Sequence, residues 1–111
     1  EIPCTEPMED SLIKGDYEIN TGVQIVNHFN NRKLNPSELQ MCLVGSHGPF
    51  TWGKNETESV YNSVVLEEIC KMAFLTRVIN PRIGNIKKSL IDKHYYRKHG
   101  KNSYYGQSDK H

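Results

Sequence analysis

One histidine stands where its neighbours could turn it to chemistry. His47 lies in Gly45-Ser46-His47-Gly48-Pro49, directly after the apolar run Met41-Cys42-Leu43-Val44. Two glycines and a proline break regular structure and let the backbone approach a ligand closely. An imidazole on a stiff turn at a strand end can be held in one orientation, as a metal ligand or a proton-transfer group. A lone loop histidine is also a common surface or hydrogen-bonded residue, and a catalytic zinc usually takes three protein ligands. The chain contains no H-x-H, H-E-x-x-H or C-x-x-C pattern, so further ligands would have to come from elsewhere.

A second group lies near the end of the chain. Ile86, Leu90, His94 and Arg97 recur at i, i+4, i+8 and i+11, on one face of a helix expected over residues 86–98. The apolar stripe passes into imidazole and guanidinium in its last two turns, so both groups would point at one place. The alternative is an edge-of-core histidine beside a solvated arginine. Tyr104 and Tyr105 follow where a free end would normally be polar, which suggests that they dock on something.

The elements that must position these groups can be taken in order. Residues 1–20 read as loop, with a short turn at Glu9-Asp10-Ser11. Thr21 and Gln24 have capping-box spacing, so a helix is expected from Thr21 to Asn30-Asn31-Arg32, with Val23, Val26 and Phe29 on one face and His28 on the surface. Asn35-Pro36-Ser37-Glu38 is another helix-start signal, with room for only a turn or two before a strand at Met41. A second strand resumes around Phe50 and Trp52. Asn55 and Glu58 then cap a long helix from Glu56 to about Val78. Its apolar residues cover more than one stripe, and a helix apolar on most sides is expected to be buried on most sides. Asn80-Pro81 stops it, and Gly100 closes the helix that follows. Few strands separated by helices indicate a mixed α/β domain with a small sheet.

Composition sets outer bounds. At 111 residues with one Trp, six Tyr and three Phe, the chain can build one modest core. The net charge of +1 hides an asymmetry: residues 1–81 hold six Lys/Arg against eleven Asp/Glu, and residues 82–111 hold eight against two. The basic end could meet an anionic small molecule, an acidic neighbouring subunit or nucleic acid, or simply form a solvated helix face. No apolar run approaches membrane-spanning length and no signal peptide is visible. Cys4, Cys42 and Cys70 are odd in number and widely spaced, which reads as reduced core residues of a cytosolic protein and not as a disulfide frame. Ile2-Pro3-Cys4-Thr5 looks like the exit from a strand, so the chain is expected to be a piece of something larger.

Several segments carry a family resemblance: IPCT at 2–5, GDYEINTG at 15–22, SHGPFTWGKN at 46–55, VVLEEI at 64–69, DKHYYRKHG at 92–100 and YYGQ at 104–107. Together they resemble the class II aldolase/adducin family, and the last two resemble its L-ribulose-5-phosphate 4-epimerase branch. The resemblance implies that residues 1–111 are the C-terminal half of a single α/β domain, with 108–111 beyond the family's usual ending. The implied fold is a three-layer α/β/α arrangement around a mainly antiparallel sheet. The implied cofactor is a divalent metal, typically Zn2+, held by three histidines of which His47 matches the third. The implied reaction breaks the C3–C4 bond of a pentulose 5-phosphate in a retro-aldol step, leaving an enediolate and glycolaldehyde phosphate, then re-forms the bond with inverted C4. A proton-transfer role falls on Tyr105, and His94 matches a histidine near the reacting groups. Arg97 is placed toward phosphate, which a guanidinium suits. Glu18 matches an acidic position without an assigned role. The resemblance also implies a cytoplasmic homotetramer with active sites between subunits, and neither nucleic acid nor membrane as partner. A sister sugar-phosphate aldolase is disfavoured by DKHYYRKHG and YYGQ, and a non-catalytic adducin-like module by His47 and Tyr105.

Overall fold

The structure is a computed structural model that describes residues 1–101. It divides into two compact units, Glu1–Leu75 and Thr76–His111. The first unit contains α1 (Asp10–Ile13), α2 (Tyr17–Arg32), β1 (Met41–Val44), β2 (Gly48–Thr51) and most of α3 (Glu56–Ile79). The second contains α4 (Lys88–His99). No helix among the described residues is long and apolar enough to cross a membrane.

The hairpin forms where its residues predict it. β1 and β2 pair antiparallel, with Cys42 opposite Phe50, Leu43 opposite Pro49 and Val44 opposite Gly48. Cys42 and Val44 are buried while Met41 and Leu43 are half-buried, the period of two expected of a strand with one covered face. Leu43 turns both backbone groups the other way. Its N–H donates to the Pro3 carbonyl (2.8 Å) and its carbonyl accepts from the Thr5 N–H (2.9 Å). A parallel bridge from Cys4 to Leu43 results, so Pro3–Thr5 does run alongside a strand. Because the amide groups of Leu43 face that segment, Pro49 opposite it can lack an N–H without breaking the ladder.

The turn after β1 passes very close to the chain start. A Cβ placed on Gly45 would sit 2.7 Å from the Thr5 carbonyl oxygen, 2.8 Å from Pro7 N and 2.9 Å from Glu6 C. Only glycine fits such a backbone approach. The Gly45 N–H donates to Thr5 Oγ1 at 3.1 Å, which ties the two segments together.

Helix α2 begins four residues before the expected start. Thr21 is buried (4% exposed), and its hydroxyl donates to the Tyr17 carbonyl at 2.8 Å. A threonine hydroxyl can cap a helix or bond back one turn, and burial selects the second here. Gln24 accordingly does not close a capping box; its Nε2 donates to the Glu6 carbonyl at 2.6 Å. The helix ends at Arg32 as expected, with Lys33 in the left-handed conformation (φ 53°) and the Leu34 N–H bonded to the Phe29 carbonyl. Asn35 starts a single turn and not a further helix: its Oδ1 accepts from Ser37 N–H and its carbonyl from Glu38 and Leu39.

Helix α3 starts on its predicted cap. Asn55 Oδ1 accepts from the Glu58 N–H (2.9 Å), and Glu58 Oε2 accepts from the Lys54 N–H (2.6 Å). The side it lays on the hairpin is different from the one its apolar residues suggest. Ser59, Asn62, Ser63 and Leu66 form the contacting stripe at helical spacing. Ser59 Oγ donates to the Thr51 carbonyl, Ser63 Oγ pairs with Thr51 Oγ1 at 2.7 Å, and buried Asn62 donates to Gln40 Oε1 (3.0 Å) and the Trp52 carbonyl (2.7 Å). Leu66 is the apolar member, 3% exposed. Val60, Tyr61, Val64, Met72 and Phe74 remain exposed, contrary to the expectation of a helix buried on most sides. The reason is geometric: the described residues provide one cover for α3, the hairpin, and it lies against the polar stripe.

The buried apolar core is correspondingly small: Phe29, Cys42, Val44 and Leu66. Full burial of a Val, Leu or Phe side chain contributes about 1.5–3 kcal/mol. Phe29 meets Trp52 edge-on at 5.4 Å, and Trp52 Nε1–H donates to the Pro36 carbonyl at 2.8 Å. All three cysteines are free, but they differ: Cys42 is buried, Cys70 half-buried and Cys4 exposed, so Cys4 is not a core residue. Burial pushes the Cys42 thiol above its ordinary range and keeps it protonated.

In the second unit α4 begins at Lys88, two residues later than its apolar spacing suggests, because Lys87 is still extended (ψ 134°). Gly100 caps the other end, its N–H donating to the Tyr96 carbonyl at 2.7 Å. Lys88 and Asp92 form an exposed ion pair one turn apart.

Two substitutions test these contacts in the full chain. Asn62→Ala leaves the Trp52 carbonyl without its donor, so urea unfolding should show a loss of about 1–3 kcal/mol. Gly45→Ala forces Thr5–Pro7 away from the hairpin, and a loss of about 1–3 kcal/mol is expected from overpacking, with hydrogen-exchange protection lowered at the Thr5 and Leu43 amides.

Candidate functional site

The turn that joins β1 to β2 carries the candidate histidine. Gly45, Ser46 and His47 make a three-residue connection, and the His47 N–H returns to the Val44 carbonyl at 3.0 Å. Ser46 takes a left-handed conformation (φ 58°), uncommon for a residue with a side chain. Such strain persists where surrounding structure fixes the backbone, and here the hairpin ladder and the Thr5 contact do so.

The imidazole lies in a cleft of about 230 Å³ lined by Pro7, Met8, Ile13, Tyr17, Val44 and the turn itself. The cleft thus draws on the chain start, the first two helices and the hairpin. The ring is solvent-exposed yet held on two sides. Its Nδ1 is 2.5 Å from the Tyr17 hydroxyl, and the two rings meet edge-on at 5.7 Å. Phe50 stacks against it at 5.5 Å with an interplanar angle of 20°. Tyr17 is the first residue of α2, fixed by its N–H bond to the Gly15 carbonyl (2.9 Å).

This arrangement suits one metal ligand. A histidine whose one ring nitrogen is hydrogen-bonded and whose other nitrogen remains for coordination is the usual form of a metal-bound imidazole. It does not amount to a metal centre alone: among the described residues no group of three or more His, Cys, Asp or Glu is placed to hold an ion.

The other candidate residues are distributed differently. Glu18 is exposed in the first turn of α2, where a carboxylate complements the positive end of the helix dipole; it does not line the cleft. His94 is exposed on α4 and lines a shallow groove of about 420 Å³ with Ile86, Leu90, Ile91, Tyr95, Lys98 and His99. Arg97 is exposed on the same helix and is not among the residues that line that groove. The helix turns by about 100° per residue, which places Lys98, one full turn from His94, at the groove instead. Tyr105 lies outside the described residues. His28, expected on the surface, is half-buried, and its Nε2 is buried, as is Gln24 Oε1 one turn earlier.

The residue that sequence reasoning missed is Tyr17. It stands beside Glu18 within GDYEINTG, but nothing local marks a tyrosine thirty residues from a histidine as its hydrogen-bond partner. The family comparison agrees with this part of the molecule. Residues 1–74 match the family described as Class II Aldolase and Adducin N-terminal domain. The matched span includes the chain start, Tyr17, Glu18 and the His47 turn, while DKHYYRKHG and YYGQ lie beyond it. A match over 74 of 111 residues, which includes the cleft that holds His47, places this chain in the class II aldolase and adducin family.

Proposed function

We propose that the chain works within a zinc-dependent L-ribulose-5-phosphate 4-epimerase, interconverting L-ribulose 5-phosphate and D-xylulose 5-phosphate by breaking and re-forming the C3–C4 bond. The observation that supports this reading best is the His47 imidazole, held by Tyr17 and Phe50 at the mouth of a cleft in the family-matching unit. His47 contributes one metal ligand, and the others come from residues beyond those described. A bound divalent metal supplies Lewis-acid stabilisation of the charge that develops on substrate oxygens during bond cleavage.

The remaining roles follow the resemblance of the last two segments. Tyr105 transfers a proton at the oxygen of the cleaved aldehyde, which must be protonated and deprotonated as the bond opens and closes. His94 acts close to the same group, and Arg97 binds the phosphate of the substrate. Glu18 keeps no assigned role. The complete domain is a three-layer α/β/α arrangement assembled as a cytoplasmic homotetramer. Exposed Tyr61, Val64 and Phe74 on α3 support further burial in such an assembly.

Residues 1–111 alone are expected to be inactive and to bind zinc weakly, so metal and turnover separate the roles in the complete subunit. His47→Ala should reduce bound zinc, measured by elemental analysis after dialysis, to background; undiminished zinc would reject the ligand role. Tyr105→Phe should keep zinc and lower epimerisation about 10²–10⁴-fold, and unchanged turnover would remove the phenol from the mechanism. Net release of glycolaldehyde phosphate from L-ribulose 5-phosphate, without D-xylulose 5-phosphate, would assign the chain to the aldolases.

A further inference from the structure

We infer that the outer face of α2 binds the same face of α2 in a second copy of this chain, antiparallel about a twofold axis. The inference goes beyond the proposed reaction and does not depend on it. Three observations carry it. Ile19, Val23 and Val26 recur at helical spacing on α2 and are 66%, 49% and 57% exposed, an apolar stripe of the kind that marks an interface. Toward the C-terminal end of α2 the stripe borders a cavity of about 300 Å³ whose lining includes Val26, Phe29, Asn30, Pro36 and Trp52. Opposite charges bracket the helix, Asp16 at its N-cap and Lys33 at its C-cap, both exposed and neither in an ion pair among the described residues.

The symmetry of the pattern selects a second copy over any other partner. A twofold contact needs a surface that is complementary to itself. Counted from the midpoint between Gln24 and Ile25, Val23 and Val26 are equidistant, as are Ile19 and Asn30, and Asp16 and Lys33. Two helices crossing antiparallel at that midpoint therefore set Val23 against the partner's Val26 and Asp16 against the partner's Lys33. Ile19 then meets the partner's Asn30 at the mouth of the partner's cavity and fills apolar space there. The axis repeats each contact at the other end. Gly22 lies beside the axis, and a Cβ there would meet nothing within 4 Å, so it puts no side chain between helices whose separation depends on the residues at the contact. Parallel pairing would instead set like charges together at both ends. Two such antiparallel pairs can build a tetramer of dihedral symmetry.

Sedimentation equilibrium on the complete subunit tests the contact, with circular dichroism to follow folding. Ile19→Lys should halve the mass of the assembly. Asp16→Lys and Lys33→Asp, each alone, place like charges together at both ends and should weaken association about 2–30-fold. The two reversals combined should restore it. A monomeric wild-type subunit, or an assembly whose mass Ile19→Lys leaves unchanged, would overturn the inference. Single reversals without effect on association would also overturn it, and they decide the matter if Ile19→Lys does not fold. Weakening by each reversal with no recovery in the combined variant rejects the antiparallel register and the inference with it. Each of these failures leaves the metal and turnover readings of the proposed function untouched.

Discussion

Between Gly45 and the Thr5–Pro7 backbone there is no room for even a methyl group. That passage decides how the first unit is arranged. It lets Pro3 and Thr5 bond to both backbone groups of Leu43, and it lets the Thr5 side chain hold the Gly45 amide. The chain then emerges at Pro7 and Met8 beside the turn, where both residues line the cleft with His47. A bulkier turn would hold these segments apart and open the cleft. Glycine here serves proximity, whereas the left-handed backbone of the same turn is taken by Ser46. The two demands fall on adjacent residues, and only the first excludes a side chain.

Polar contacts, more than apolar ones, dock α3 on the hairpin. Asn62 joins Gln40 and the Trp52 carbonyl, and Thr51 exchanges hydrogen bonds with Ser59 and Ser63. Hydrogen bonds contribute only about 0.5–1.5 kcal/mol each, net of the water they replace, but leaving one unmade inside is costly. They therefore fix the rotation of α3 about its axis more sharply than its strength of attachment. The valines and aromatics turned outward follow from that rotation.

Features set by near neighbours were legible in the sequence. The hairpin could be read from Met41–Val44 and the glycine-proline turn, the start of α3 from Asn55 and Glu58, and the end of α4 from Gly100. Each depends on a few adjacent residues with one favourable use. Thr21 had two uses, as cap or as a buried hydroxyl, and the choice depended on packing that no local pattern encodes. The covered face of α3 was misread because hydrophobicity ranks positions by what they would gain from burial, not by which cover is present. In the site, His47 was visible from its turn, but Tyr17 was not, since their contact is made by the docking of α2 on the hairpin. The stripe through Arg97 was counted from Ile86, which precedes α4; within the helix Arg97 lies three residues from His94, about 60° around the axis.

Trp52 gives the molecule an internal optical probe. It is the sole indole in the chain, with its N–H on the Pro36 carbonyl and the edge of Phe29 against its ring. Its own carbonyl is bound by Asn62. One chromophore therefore touches the turn before β1, helix α2 and helix α3 at once. Its emission wavelength and quenching report whether these three pieces stay assembled, free of overlapping signals from any other tryptophan.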